Sequence, residues 1–356
     1  MNSIQTIALL AFIVATAISY FATPLVIKLA KKINIIDDPK KNKHPKVIHT
    51  YPVPRGGGLA IFLSLLLTAS IFLPVDKHLI AILFGATIIT FLGLLDDKYD
   101  LNPYLRLIIQ IAAATMPIVG GIGIAFITNP FNGVLDLSQP QIQFTLLGQA
   151  RSIWVLSDLF ALFWIVFMMN MLNMGAKGID GQLPGVTAIA GLTIAILSLK
   201  YSADITQWPV IILAVITTGA FLGFLPWNYY PQKIMPSFGG SSLAGYLLAV
   251  LAILSTAKIG TLLVVLGVPI IDTGYTILRR VSSGKSPVWG DRGHLHHKLL
   301  DSGLSKRQVV WFYWGITFIL GFVALQLKAA LKLYTIVGVA VVTGGLLLWL
   351  TYRSKS

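Results

Sequence analysis

The chain has 356 residues, of which 56% are hydrophobic and only 11% charged, and its mean hydropathy is +0.79. A soluble globular domain carries about 25% charged residues, so the composition excludes that class and indicates a polytopic membrane protein. The absence of cysteine excludes a disulfide framework, a thiolate metal site and a thiol nucleophile. The net charge of +14 reflects Lys and Arg clustered in alternate loops, which is typical of membrane topology and anionic lipid headgroups and not of nucleic-acid binding.

Apolar segments of nearly membrane-spanning length recur along the whole chain. They predict an all-α helix bundle with about eleven transmembrane helices, formed by residues 1–356 as a single integral-membrane domain. The first segment is too long for the core of a signal peptide, so we expect a retained helix. The predicted spans lie near residues 4–27, 57–74, 79–95, 104–124, 154–173, 184–200, 209–226, 242–257, 259–279, 308–327 and 332–351.

Most of the 27 Lys and Arg residues fall in one of the two alternating sets of loops. Positive charge is enriched in cytoplasmic loops, so this asymmetry predicts an N-terminus outside the cell membrane and a cytoplasmic C-terminus. The polar side chains that could take part in catalysis or binding fall on the same side. We therefore expect an active site on the cytoplasmic face of the plasma membrane.

Asp96 and Asp97 stand side by side where the third apolar segment ends. Adjacent carboxylates at a membrane surface repel each other and are costly to desolvate, and they are tolerated when a cation or a proton lies between them. Asp100 follows one helical turn after Asp96, so the cluster predicts a site for a divalent cation or for a base that acts on phosphate. A solvated helix end, partly neutralised by Lys98, is the alternative.

Two amides, Asn170 and Asn173, lie one turn apart at the end of the fifth apolar segment and lead into Lys177 and Asp180, which glycines flank. Amides in an apolar helix can serve only to join helices. Glycines, however, allow the backbone to approach a phosphate or a sugar closely. Together the stretch predicts a ligand-binding loop.

Three histidines, His294, His296 and His297, follow Asp291 and Arg292 in a basic loop. Three histidines within four residues suit a transition metal. The neighbouring Arg292 makes a diphosphate at least as good a ligand for this segment.

Asp272 lies within the ninth apolar segment. An ionisable group at that depth is a functional candidate, and a structural hydrogen bond is a nearly equal alternative. Asp272 is also the main argument for a secondary transporter. Against a transporter, the polar residues gather on one face instead of near the midplane, and no inverted repeat is visible.

In this order along the chain, the motifs resemble those of the bacterial polyprenyl-phosphate N-acetylhexosamine-1-phosphate transferases of glycosyltransferase family 4. The resemblance rests on residues 52–58, 94–101, 269–273 and 291–297. The number of spans and the His-x-His-His form are more similar to the GlcNAc-1-phosphate branch than to the phospho-MurNAc-pentapeptide branch.

The resemblance implies transfer of a sugar-1-phosphate, most closely GlcNAc-1-phosphate, from a UDP-sugar to undecaprenyl or another polyprenyl phosphate, with release of UMP. That reaction is a first membrane step of cell-envelope glycan assembly, as for lipopolysaccharide or teichoic acid. It is expected to use Mg²⁺ or Mn²⁺ together with basic side chains. The implied catalytic residues are Asp96, Asp97, Asp180, His296 and His297; the implied substrate contacts are Asn170, Asn173, Lys177, Asp272, Asp291, Arg292 and His294; and the implied metal ligands are Asp97 and Asn173.

Two positions depart from the family pattern. Lys177 stands where the family carries an Asp, and Phe238 replaces an Asp that binds Mg²⁺ in the family. Both changes remove negative charge, so we expect an atypical metal site in which Lys177 supplies part of the neutralisation. The rival interpretation is a divergent, non-catalytic binder of lipid phosphate or nucleotide sugar. The sequence leaves open whether the chain forms a homodimer.

Overall fold

The computed structural model describes residues 3–41, 47–129, 133–146, 149–255, 258–286 and 291–353. The turn expected around Ala257, between the eighth and ninth predicted spans, lies partly outside them. Within these ranges the chain forms thirteen α-helices joined mostly by short connections. They are α1 (Ser3–Lys32), α2 (Gly58–Phe72), α3 (Lys77–Tyr99), α4 (Pro103–Val119), α5 (Val155–Gly175), α6 (Gln182–Leu199), α7 (Trp208–Asn228), α8 (Ser237–Leu254), α9 (Lys258–Val265), α10 (Gly267–Ser282), α11 (Leu295–Asp301), α12 (Lys306–Ala324) and α13 (Ala329–Arg353).

The helical segments coincide with the predicted spans, but the predicted number of membrane crossings is not confirmed. Eight helices are long and apolar enough to cross a membrane, and a ninth crossing results if α9 and α10, which meet at an angle of 81°, form one broken span. The apolar helices α2 and α4 have only 15 and 17 residues, fewer than the 20 or so that a straight crossing needs. The direction of the termini stays a prediction.

The expected all-α class is confirmed, and the described part of the chain adds only six short strands, which pair into three two-stranded antiparallel sheets. Four of the strands occupy the long connection between α4 and α5, where residues 141–146 alternate polar and apolar side chains, a strand pattern. The strands are β1 (Ile36–Asp37), β2 (Val53–Pro54), β3 (Phe126–Thr128), β4 (Val134–Asp136), β5 (Gln141–Leu146) and β6 (Gln149–Trp154).

The smallest sheet matters for function. Strands β1 and β2 pair two stretches of the loop between α1 and α2, and the N–H of Arg55 donates to the carbonyl of Ile35 at 3.0 Å. The pairing holds the segment that precedes α2 against the end of the bundle. Arg55 is thereby directed towards the end of α3.

Helix α8 is the centre of the bundle, and glycines let its neighbours approach it. A Cβ on Gly93 of α3 would overlap the Cα of Gly239 in the first turn of α8, and a Cβ on Gly58 of α2 would overlap the backbone of Gly240. Small residues at such crossings bring helix backbones together in membranes. The contact places the end of α3, with Asp96 and Asp97, beside the beginning of α8.

We predict that Gly93→Ala destabilises the protein, since the added methyl meets backbone that has no room to yield. Overpacking of this kind costs about 1–3 kcal/mol, and it would also displace the end of α3. Thermal unfolding in detergent measures the loss. Gly315→Ala is the matched control, because Gly315 lies in α12 with nothing within 4 Å of its Cβ position. Equal melting temperatures for the two variants would contradict the assignment of Gly93 as a packing contact.

Candidate active site

A cavity of about 760 Å³ opens where the ends of α3 and α5 meet the beginnings of α8 and α11. It brings together residues that are more than 100 positions apart in the chain, including the acidic pair and the histidine segment. Most of the predicted site residues line it. They are Asp96, Asp97, Asn173, Lys177, Asp180, Asp291, His294, His296 and His297.

The acidic pair at the end of α3 is buried and compensated by two arginines. The side chains of Asp96 and Asp97 are each only 1% exposed. Arg55 Nη2 lies 3.0 Å from Asp97 Oδ1 and 3.9 Å from Asp96 Oδ2, and Arg106 Nε contacts Asp96 Oδ1. The positive charge that sequence reasoning required between the carboxylates is therefore supplied by side chains of the protein.

Neither arginine was singled out from the sequence as a site residue. Arg55 belongs to the segment 52–58 that carried part of the family resemblance, so a signal for it existed. Arg106 lies at the beginning of α4 in an otherwise apolar stretch, and only the antiparallel return of α4 beside α3 brings it to Asp96.

Asp100 does not join Asp96 in a common ligand set. Helix α3 ends at Tyr99, and Asp100 adopts a left-handed conformation with φ 48°. Its side chain is 86% exposed and pairs with Arg106 Nη2 at 2.7 Å. The expectation that Asp96 and Asp100 share one helical face fails because the helix stops one residue too early.

Lys177 donates to the Asn173 side chain, and the Ser241 hydroxyl lies within hydrogen-bond distance of the same oxygen. Lys177 Nζ lies 2.6 Å from Asn173 Oδ1, and Ser241 Oγ, in the first turn of α8, lies 2.7 Å from the same oxygen. The Lys177 ammonium also attracts the Asp97 carboxylate. A cation of the protein thus stands between the amide of α5 and the acidic pair of α3.

This arrangement does not fit a metal site built on Asp97 and Asn173. Asp97 Oδ1 already lies 3.0 Å from Arg55 Nη2, and the Ser237 hydroxyl also interacts favourably with this carboxylate. The Asn173 oxygen likewise already accepts a hydrogen bond from the Lys177 ammonium, and Phe238 presents its ring to Arg106 at 5.6 Å where an acidic ligand was expected. Across the described ranges, no three His or Asp side chains are grouped to hold a metal, which also disfavours the triple-histidine metal site.

Asp180 forms a second polar corner of the cavity, in the loop that joins α5 to α6. Gly181 has a φ of +87°, and its N–H donates to Asn228 Oδ1 at 3.0 Å, which fixes the loop. Burial raises the pKa of Asp180, and the positive charge of Lys306, 3.8 Å away, opposes that rise. A buried carboxylate with a raised pKa is suited to exchange a proton or to accept hydroxyl donors.

His49, which was not identified from the sequence as a site residue, also lies at this corner. It lines the cavity, is only 5% exposed, and its Nε2 has no hydrogen-bond partner among the described residues. A lone histidine in a loop carries no sequence signal. The folding of the loop between α1 and α2 back over the cavity places it there.

Asp291 begins the histidine segment and is held by two arginines of α10. Arg279 Nη2 lies 2.6 Å and Arg280 Nη2 3.1 Å from its oxygens, and the N–H of Gly293 donates at 2.8 Å. Partial burial would raise the pKa of Asp291, but the hydrogen bonds and charges of these partners outweigh it and lower the pKa to about 2. Asp291 is therefore an anion that anchors the loop to α10.

His296 and His297 extend from the short helix α11 into the cavity, with ring centroids 4.2 Å apart. Both are 3% exposed, and neither Nδ1 has a hydrogen-bond partner in the described structure. Burial lowers the pKa of His296 well below its usual value and lowers that of His297 to about 4. Both rings are thus neutral at pH 7, and an anion that enters the cavity would favour their protonation.

Three predicted substrate contacts do not line the cavity. Asn170 Nδ2 instead donates to Gln110 Oε1 at 2.9 Å and to its own helix, so this amide joins α5 to α4. Arg292 is turned towards the surface, where it pairs with Asp301 at 2.6 Å. Asp272 is completely buried behind the histidine segment. Sequence position alone did not reveal which side of each segment faces the cavity.

Comparison with known proteins identifies the family and the enzyme class to which the chain belongs. The model of glycosyl transferase family 4 matches residues 79–256, from the beginning of α3 to just beyond the end of α8. The chain belongs to glycosyl transferase family 4. It is an enzyme of the phosphotransferase class, and its apolar helices make it a multi-pass membrane protein.

Three relatives are similar over most of their length. The chain is 34% identical over 330 residues to the probable undecaprenyl-phosphate N-acetylglucosaminyl 1-phosphate transferase of Bacillus subtilis (strain 168). The aligned region covers 90% of this chain and 85% of that protein. The chain is 30% identical to the decaprenyl-phosphate N-acetylglucosaminephosphotransferase of Mycobacterium leprae (strain TN), with coverages of 83% and 77%. It is 26% identical to the undecaprenyl-phosphate alpha-N-acetylglucosaminyl 1-phosphate transferase of Escherichia coli (strain K12), with coverages of 83% and 76%.

We predict that burial of His297 makes the ligand-free protein less stable in acid. Because its pKa falls from 6.5 to about 4 on folding, the unfolded chain binds more protons between these values, and stability is lost as the pH falls through that window. One such imidazole contributes at most about 1.4 kcal/mol per pH unit.

Melting temperatures in detergent at pH 7 and pH 5 test this. His297→Gln is expected to reduce the loss at pH 5, and the same substitution at His78, whose ring is exposed, is the control. An identical loss in the wild type and in His297→Gln would show that this ring does not carry the effect.

Proposed function

We propose that the protein transfers a sugar-1-phosphate from a UDP-sugar to undecaprenyl phosphate or a related polyprenyl phosphate, releasing UMP. The sugar-1-phosphate that we propose is GlcNAc-1-phosphate. The names of the three relatives supply the sugar and the lipid acceptor. The observation that carries the proposal is that the acidic pair and the histidine segment open on one cavity. The reaction would be a first membrane step in the assembly of a cell-envelope glycan such as teichoic acid or lipopolysaccharide, at the cytoplasmic face.

The main obstacle to this reaction is charge, because a lipid phosphate and a diphosphate must meet. Phosphoryl transfer is catalysed mostly by positioning and by neutralising the oxygens that gain charge. Among the cations that line the cavity, Arg55, Arg106 and Lys177 interact with the acidic pair or with its neighbour Asn173. The neutral rings of His296 and His297 can add charge by taking up protons when phosphate enters.

In the proposed step, an oxygen of the lipid phosphate forms a bond to the phosphorus that carries the sugar. The bond from that phosphorus to the oxygen bridging to the uridine phosphate breaks, and UMP leaves with the electron pair. We propose that Asp97, which lines the cavity beside Arg55, accepts a proton from the lipid phosphate or orients it. We propose that Asp180 and His49, which line the same cavity, contact the sugar or the nucleotide.

We assign no step to a metal ion, because the residues present do not fit the predicted site. A role for Mg²⁺ or Mn²⁺ stays a prediction, and we propose that it is reduced because Lys177 holds a fixed positive charge beside Asn173 and Asp97. An ammonium binds phosphate well as a point charge, although it polarises less than a divalent ion.

The test of the function is UMP release by the purified protein, given undecaprenyl phosphate and, separately, UDP-GlcNAc, UDP-GalNAc or UDP-glucose. We expect release with the N-acetylated sugars and a loss of at least roughly 100-fold in Asp97→Asn, typical for removal of an acid–base group. Asp76→Asn, at the other end of α3, is the control because asparagine also caps helices well.

Each negative result in this assay has its own meaning. Binding of UDP-sugar without UMP release would replace the proposal with the non-catalytic binder. Turnover by Asp97→Asn would remove the assigned chemistry and leave the family unchanged.

We predict for Lys177 that the wild type keeps substantial turnover in excess chelator, whereas Lys177→Ala loses at least roughly 100-fold, as when one preorganised donor is removed. Lys285→Ala, an exposed lysine beyond α10, is the control for a change of net charge. Complete loss of wild-type activity in chelator, or near-normal activity of Lys177→Ala, would refute the substitution of ammonium for metal.

A further inference from the structure

Asp272 of α10 uses both of its carboxylate oxygens on one short stretch of chain. Its Oδ2 lies 3.0 Å from His294 Nδ1, and its Oδ1 accepts the backbone N–H of Leu295 at 2.8 Å. The side chain is completely buried. The Asp272 carboxylate therefore fixes the cavity-lining ring of His294. It also fixes the beginning of α11, the helix that carries His296 and His297.

This geometry defines the tautomer of His294. A carboxylate oxygen that faces Nδ1 is a hydrogen-bond acceptor, so Nδ1 carries the proton. His294 lines the cavity, and Nε2 is the ring nitrogen that the bond to Asp272 leaves available to a ligand. The hydroxyl of Thr276 also lies on the Nδ1 side of the ring, 3.4 Å from Nδ1.

His294 thereby differs from the two histidines that follow it. Neither His296 nor His297 has a hydrogen-bond partner at Nδ1 in the described structure, and both are held neutral by burial. His294 alone of the three has a buried carboxylate within hydrogen-bond distance. The charged and titratable groups of the elements packed around this pair are His296, His297 and Lys298 of α11, Tyr313 of α12, Arg279 and Arg280 of α10, and Asp291 and Arg292 of the preceding loop.

We propose that Asp272 is a positioning residue for His294. It orients this ring so that the ring contacts the diphosphate of the substrate and takes up a proton when the diphosphate binds. When the diphosphate binds, the ring lies between two anions, and the imidazolium form is favoured by both. A chain of carboxylate, imidazolium and phosphate then forms, with one proton taken from solvent. The identity of the ligand rests on the proposed function; the pairing of Asp272 with His294 does not.

Calorimetric titration with UDP, in two buffers of different ionisation enthalpy at pH 7.5, measures protons taken up on binding. We expect Asp272→Asn to reduce the uptake by about one proton per UDP and to weaken binding roughly 10- to 100-fold, as when the carboxylate behind a functional histidine is lost. Asp158→Asn, at the opposite end of α5 from Asn173, is the matched control and should behave as the wild type.

His294→Gln provides the second variant, in case Asp272→Asn does not fold. It should lose the same proton, and the double variant should lose no more than either single one, since both act on one unit. Proton uptake unchanged in Asp272→Asn or in His294→Gln would overturn the inference, and so would a wild type that does not bind UDP. A wild type that binds UDP with uptake but releases no UMP would overturn the proposed function and leave this inference standing.

Discussion

The burial of negative charge at the ends of apolar helices is the constraint on which the structure depends. A carboxylate loses its hydration when it is buried, and it persists only when opposite charges and hydrogen-bond donors replace the water. The acidic pair at the end of α3 satisfies this requirement with Arg55 and Arg106, which come from two other segments. The pair therefore acts as a centre around which the loop before α2 and the beginning of α4 must be placed.

The same principle organises the other side of the cavity. Asp291 is held by two arginines of α10, and Asp272 by an imidazole and a backbone N–H. Each buried or half-buried anion has donors arranged around it, and each arrangement fixes a loop. The loops are thus rigid enough to present imidazole rings and an ammonium at defined positions, which is what catalysis by electrostatic preorganisation requires.

Positive charge in this cavity is of two kinds. Arg55, Arg106 and Lys177 are permanent cations already engaged with the acidic pair or its neighbour, whereas His296 and His297 are neutral rings that burial keeps unprotonated. A site of this design avoids a large excess of positive charge when empty and can gain charge when phosphate enters. It offers a physical reason why a phosphoryl-transfer site can carry a lysine where the family carries an aspartate.

Patterns of hydropathy and local spacing determined much of this protein. Long apolar segments make a membrane bundle unavoidable because backbone polar groups in lipid must be paired within helices, and every apolar segment identified in the sequence became a helix or a bent pair of helices. Each motif of the site consists of residues close together in sequence. Both the acidic pair and the triple histidine could therefore be recognised from the sequence alone. The family followed from the same motifs.

The tertiary structure alone decided which side chains meet. Arg106 and His49 carry no sequence signal, yet α4 and the loop after α1 bring them to the cavity, while Asn170 and Arg292 turn away from it. Position in sequence does not specify the direction of a side chain at the end of a helix, where periodicity stops and partners from distant segments compete for it. For Asp272 the sequence raised a structural hydrogen bond as one of two alternatives, and only the fold identified its partners, which lie more than twenty residues away in the chain.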